Sequence, residues 1–118
     1  MRDFRDLHVW QKSKSLVVAV YRATDGYPSR ERFGLVQQTR GAAVSIGANL
    51  AEGCGRRGAR EFARFVDIAL GSAYELSSHL EVATALGFLD SKAAAELMTS
   101  LEEVRRMLAG LTKSLIKR

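Results

Sequence analysis

The stretch 97-LMTSLEEVRRMLAGLTKSL-115 decides the fold. Leu97, Leu101, Val104, Leu108, Leu111 and Leu115 follow one another in alternating steps of four and three. That rhythm places all six on one helical stripe, the seam of a helix packed in a bundle. Asp90 stands where an N-cap is needed, so the spacing predicts a helix from there to about Ile116.

Working upstream, Gly87 suits the left-handed position that closes a helix. The segment before it, from Ala59 to Leu86, carries the stripe Phe62, Phe65, Val66, Ala69, Ala73, Leu76, Leu80 and Ala83. Glu61 puts an acid near that helix's positive end. A second helix is predicted over 30–51, with Ser29 as N-cap after Pro28 and the stripe Leu35, Thr39, Ala42, Ala43, Ile46 and Leu50. A first helix spans 6–24, with Leu7, Trp10, Val17, Tyr21 and Thr24 inward. Its run 16-LVVAVY-21 is apolar all round and rich in β-branched residues, so a strand is the alternative. The helical flanks and the lack of a partner strand favour helix. A helix apolar on several sides is covered on several sides, by the bundle and by a second copy of the chain.

Four helices with short connections give an all-α, antiparallel up-down-up-down four-helix bundle, one domain over 1–118. Helices two and three then pair residues whose numbers sum to roughly 111. This register sets Gly41, Ser45 and Gly47 beside Ala63, Ala69, Gly71 and Ser72, and brings Arg40 near Glu75.

The composition fits a globular chain of 118 residues, 47% hydrophobic and 26% charged. No run approaches the ~20 apolar residues of a membrane span. The start of the chain lacks the apolar centre of a signal peptide, and Cys54 has no partner for a disulfide. These features point to the cytoplasm, with no membrane association. The net charge of +5 leans towards an anionic partner.

Where that charge sits is set by 49-NLAEGCGRRGAREFARF-65. The stretch is not a P-loop, which needs GxxxxGK followed by Ser or Thr between a strand and a helix. It reads as a helix end, a glycine turn including Gly53, and a helix start. In the predicted topology this turn shares one end of the bundle with both chain termini. That end gathers Arg2, Arg5, Arg56, Arg57, Arg60, Arg64, Lys113, Lys117 and Arg118 against Asp3, Asp6, Glu52 and Glu61, an excess of five. The other end has an excess of one. Arg56, Arg57, Arg60, Arg64, Lys113 and Lys117 are therefore the candidate nucleic-acid contacts. Asn49 and Glu52 read as structural, Asn49 bonding backbone or a neighbouring helix and Glu52 answered by Arg56 or Arg57.

Enzymatic chemistry finds little footing. His8 and His79 are isolated from other metal-ligand residues, so no metal or other cofactor is expected. Cys54 lacks a neighbouring histidine. Its place beside Arg56 and Arg57 in an exposed turn predicts redox sensitivity rather than catalysis.

Phe4, 6-DLHVWQKS-13, 31-ERFGLVQQTRGAAVSIGANLAEGCGR-56 and 61-EFARFVDIALGSAYEL-76 together resemble a known family. It comprises small bacterial four-helix-bundle proteins first noted as reading frames inside intervening sequences of large-subunit ribosomal RNA genes. The accessory variability protein of diversity-generating retroelements is a related branch. The resemblance implies a bundle that assembles as a homopentamer. In the retroelement branch it further implies a basic assembly that binds RNA or DNA and a reverse transcriptase. The sequence departs from the family pattern at Gly41, where a second arginine is common, at Gly47, where proline is common, and at Gly58, where serine often caps the third helix.

Overall fold

Helix α4 forms over Ser91–Ile116, and its stripe faces inward as the spacing requires. Leu97, Leu101, Val104, Leu108 and Leu115 are buried, and Leu111 packs half-buried against the same core. Asp90 caps the first turn, its Oδ1 accepting the Ala93 N–H at 2.8 Å. Before it, Gly87 adopts φ +80 and reverses the chain. The Phe88 N–H then donates to the Ala83 carbonyl (2.9 Å) and the Gly87 N–H to that of Thr84 (3.1 Å). This closes α3, which runs over Gly58–Ala85, with a paired cap that only a residue tolerant of positive φ permits.

The computed structural model describes residues 2–116. Among them are four α-helices, two single 3-10 turns and no strand. Helix α1 spans His8–Thr24 and α2 spans Leu35–Cys54. Each helix packs on two others: α1 on α2 and α4, α3 on α2 and α4, with no contact across either diagonal. That is the up-down-up-down square. Its extents of 45 × 23 × 19 Å match one long helix by two helices by two. The 28 residues of α3 account for ~42 Å at 1.5 Å per residue.

Helices α2 and α1 depart from the sequence reading in informative ways. Ser29 does not cap α2; it heads a separate 3-10 turn, Ser29–Glu31, that follows Pro28. Helix α2 starts at Leu35, behind Gly34, and the Glu31 carboxylate accepts the Leu35 N–H at 3.3 Å. It also runs on to Cys54 instead of stopping at Ala51. Helix α1 begins at His8 instead of Asp6, after a 3-10 turn at Phe4–Asp6 capped by the Asp3 side chain. Its buried face is Val9, Ser13, Leu16, Val20 and Thr24. Of the predicted stripe only Thr24 is buried; Tyr21 is exposed, and Leu7, Trp10 and Val17 are half-buried. The face is thus turned by about one residue, ~100°. The two polar residues on it are satisfied within their own helix. Ser13 Oγ donates to the Trp10 carbonyl and Thr24 Oγ1 to the Val20 carbonyl, both at 2.8 Å.

The pairing of α2 with α3 is offset from the predicted register. Ser45 and Ser72 meet at 2.8 Å as expected, and their numbers sum to 117. Near the turn the two helices approach closely at Gly53, where an added Cβ would lie 2.9 Å from both Phe62 and Phe65. The glycines expected there do not line this seam. Gly41 and Gly71 have nothing within 4 Å of an added Cβ. Gly47 receives α1 instead, with Ser13 Oγ at 3.1 Å and Trp10 Nε1 at 3.3 Å. Arg40 likewise does not meet Glu75: it turns to Asp25 at 2.9 Å, and Glu75 bonds His79 at 3.1 Å.

Candidate nucleic-acid interface

The last turn of α2, the first turns of α3, the chain start and the last turns of α4 converge at one end. The turn between α2 and α3 is built on backbone bonds, Gly55 N–H to the Glu52 carbonyl and Arg56 N–H to the Gly53 carbonyl, both 3.1 Å. Gly58 takes φ +81, a conformation costly for any residue with a side chain. No side chain caps α3, so the serine cap common in the resembling family has no substitute here.

Several arginines at this end lie over aromatic rings. Arg2 sits 5.3 Å from the centre of the Phe62 ring. Arg56 and Arg64 share Phe65, at 5.2 and 4.7 Å. Such contacts are worth roughly 0.5–1 kcal/mol at exposed sites and hold the guanidinium planes in place. The rings themselves are buried, so Phe62 and Phe65 serve both the core and the surface layer above it.

Part of the predicted charge is answered internally. Arg56 pairs with Glu52 at 2.8 Å, Arg64 with Glu61 at 3.1 Å, and Arg5 with Asp3 at 2.8 Å. The Arg64 hydrogen bond holds the Glu61 carboxyl below its ordinary range and raises Arg64 in turn. Arg57, Arg60 and Lys113 are exposed and, with Arg2, have no carboxylate partner among the described residues. The described part of this end keeps seven cations against four carboxylates, an excess of three. Lys117 and Arg118, the remaining predicted cations, lie outside the described residues.

Asn49 bridges helices through Ser45. Its Nδ2 donates to the Ser45 carbonyl (2.8 Å) and to Ser45 Oγ (3.1 Å), and Ser45 Oγ meets Ser72 Oγ of α3. Cys54 corrects an expectation: it is buried, not on an exposed turn. Burial pushes its thiol pKa up, against a smaller lowering by Arg2. A thiol held protonated and covered from solvent is a packing residue rather than a redox sensor. No group of three metal-ligating side chains occurs among the described residues.

Two features escaped the sequence reading. Arg40 fastens the end of α1 to α2: its Nε donates to Thr24 Oγ1 (2.8 Å), its Nη2 to the Tyr21 carbonyl (3.2 Å) and to Asp25. Its guanidinium also covers the Tyr21 ring at 4.4 Å. The signal was Asp25 directly after α1, where a cation is wanted on the last carbonyls. The second feature is an apolar groove of about 350 Å³ along α1 and α2, lined by Trp10, Val17, Val44, Ala48 and Ala51 among others. Trp10 and Val17, assigned inward from the sequence, belong to this side of α1.

Fold and site together define a class: a four-helix bundle with a basic, arginine-layered end and an apolar outer groove. Comparison with known proteins narrows this. The family model described as 23S rRNA-intervening sequence protein matches residues 5–110, and the chain belongs to that family. A crystal structure from Bacteroides thetaiotaomicron, of a protein with unknown function from the S23 ribosomal protein family, superposes with a TM-score of 0.80. It is 22% identical and covers 89% of this chain and 98% of its own, which establishes the shared fold. Comparison with curated proteins finds no match. No described helix is long and apolar enough to cross a membrane.

Proposed function

We propose that this protein is a non-enzymatic, cytoplasmic bundle that self-associates and binds nucleic acid through its basic end, without strong sequence specificity. The observation that carries the reading is the group Arg2, Arg57, Arg60 and Lys113 at one end, none with a carboxylate partner among the described residues. Phosphate contacts of this kind supply affinity but do not read bases. The resemblance implies a homopentamer, and a ring would repeat the basic end in every subunit, so that weak contacts add through avidity.

A salt titration of RNA and DNA binding tests the reading. Each phosphate neutralised on a duplex contributes about 0.9 to the slope of log K against log salt. Arg57→Ala/Arg60→Ala should weaken binding to all sequences alike and lower the slope by up to ~2 for each engaged subunit. Absence of binding at low salt sinks the proposal.

The apolar groove favours a second reading, a protein adaptor that docks a partner such as a reverse transcriptase. Capture experiments with and without nuclease separate the two. Partners that survive nuclease treatment and are lost in Val44→Asp support the adaptor.

A further inference from the structure

A cavity of about 470 Å³ opens at the basic end, within the ~300–1,000 Å³ range of small-ligand clefts. Its wall joins four parts of the chain: Arg2 from the start, Gly53 and Cys54 from the end of α2 with Arg56 from the turn that follows, Phe62 from α3, and Leu115 from α4. Both arginines are held before any ligand arrives. Arg2 lies over Phe62, and Arg56 lies over Phe65 with one hydrogen bond to Glu52. A guanidinium has five N–H donors, so most of their donors are left to serve an anion. Arg57 and Arg60 are exposed close by in sequence but do not line the cavity.

A concave site with two arginines selects among phosphates by shape and charge. The internal phosphodiesters of a strand form a continuous row, which can cross such an opening but not fill it. A chain end can enter. Its phosphomonoester also carries about −1.5 to −2, against −1 for an internal phosphate, and offers more acceptor oxygens to the two guanidinium forks.

We propose that this cavity receives the terminal phosphomonoester of a nucleic-acid chain, held by Arg2 and Arg56, while Arg57 and Arg60 meet the phosphates that follow. The proposal rests on the nucleic-acid reading above and gives it a polarity: ends over interiors. A free nucleoside monophosphate presents the same chemistry. The chain end is favoured because Arg57 and Arg60, outside the cavity, would have no phosphate to meet in a single nucleotide.

The test compares one oligonucleotide sequence in three forms at fixed salt: linear with a terminal phosphate (5′ and 3′ in separate arms), linear with hydroxyl ends, and circular. A phosphorylated end should bind about tenfold more tightly than the other two forms. Arg2→Ala should abolish that advantage. Arg2 is exposed and its loss removes only the contact with the Phe62 ring, so the variant should stay folded, its melting point within about 5 °C of the parent's. Arg57→Ala should weaken all three forms by a similar factor and keep the advantage. Equal binding of circular and phosphorylated linear chains overturns the end reading and leaves the nucleic-acid reading standing. Binding by none of the three at low salt overturns both. An advantage that persists in Arg2→Ala also overturns it. So does a mononucleotide that competes as well as the phosphorylated oligonucleotide, which would make the free nucleotide the ligand.

Discussion

Glycine residues of one type do opposite things in this chain, and the difference lies in what each faces. At Gly53 an added Cβ falls 2.9 Å from Phe62 and Phe65, inside a packed seam. Gly53→Ala should cost ~1–3 kcal/mol by urea denaturation, the range for overpacking. At Gly41 and Gly71 the same atom meets nothing within 4 Å, and both positions are mid-helix. There alanine should stabilise by up to ~1 kcal/mol through helix propensity. Sequence could place these glycines on helices but not say which were buried, because that depends on how neighbouring helices register against one another. Charge pairing behaves similarly. Glu61 and Glu102 are both held below their ordinary 4.5 by hydrogen bonds from Arg64 and from Arg105. A depressed carboxyl pKa stabilises the fold above its unfolded pKa and loses that contribution as pH falls through the folded one. Glu61→Gln and Glu102→Gln should therefore differ most from the parent above the ordinary carboxylate range, and their stability curves should converge with the parent's only once pH falls below the lowered carboxyl pKa, where the parent group is also neutral.

Among the elements, α1 and α4 were both legible as helices, but only the inward face of α4 was. The α4 stripe keeps one phase over six apolar residues, with no competing face. In α1 the run Leu16–Tyr21 offers no phase at all. The true face is disguised by Ser13 and Thr24, whose hydroxyls are satisfied by their own helix and so can be buried. The α2–α3 turn was legible as a turn, while the burial of Cys54 behind it was not. Arg40 ties α1 to α2, with the planar geometry of a guanidinium that lies on Tyr21 and reaches three acceptors. Arg40→Ala should cost ~1–2 kcal/mol, discounted for the exposure of Asp25. Arg40→Lys should recover little of it, because an ammonium cannot stack and fork together. A lysine variant as stable as the parent in chemical denaturation contradicts this account.

Across the whole molecule, the convergence of charge at one end followed from topology and residue count alone. The pairing of Glu52 with a neighbouring arginine was legible too, while those of Glu61 with Arg64 and of Asp3 with Arg5, three and two residues apart, needed side-chain coordinates. The apolar groove was half legible, as an excess of apolar surface on α1 whose location was wrong by one residue. If copies of the chain meet there, Val44→Asp should give a monomeric mass by light scattering, with unchanged helix content, since Val44 is 44% exposed. Trp10 is the chain's single tryptophan and forms part of that groove, edge-on to Phe4 at 4.8 Å. Indole emission depends on the water around the ring, so docking on the groove should move it to shorter wavelength. Dilution should reverse the shift, and Val44→Asp should show the diluted spectrum at every concentration. Trp10 would then be an intrinsic optical gauge of such an assembly, readable without a label and at the low concentrations where an oligomer comes apart.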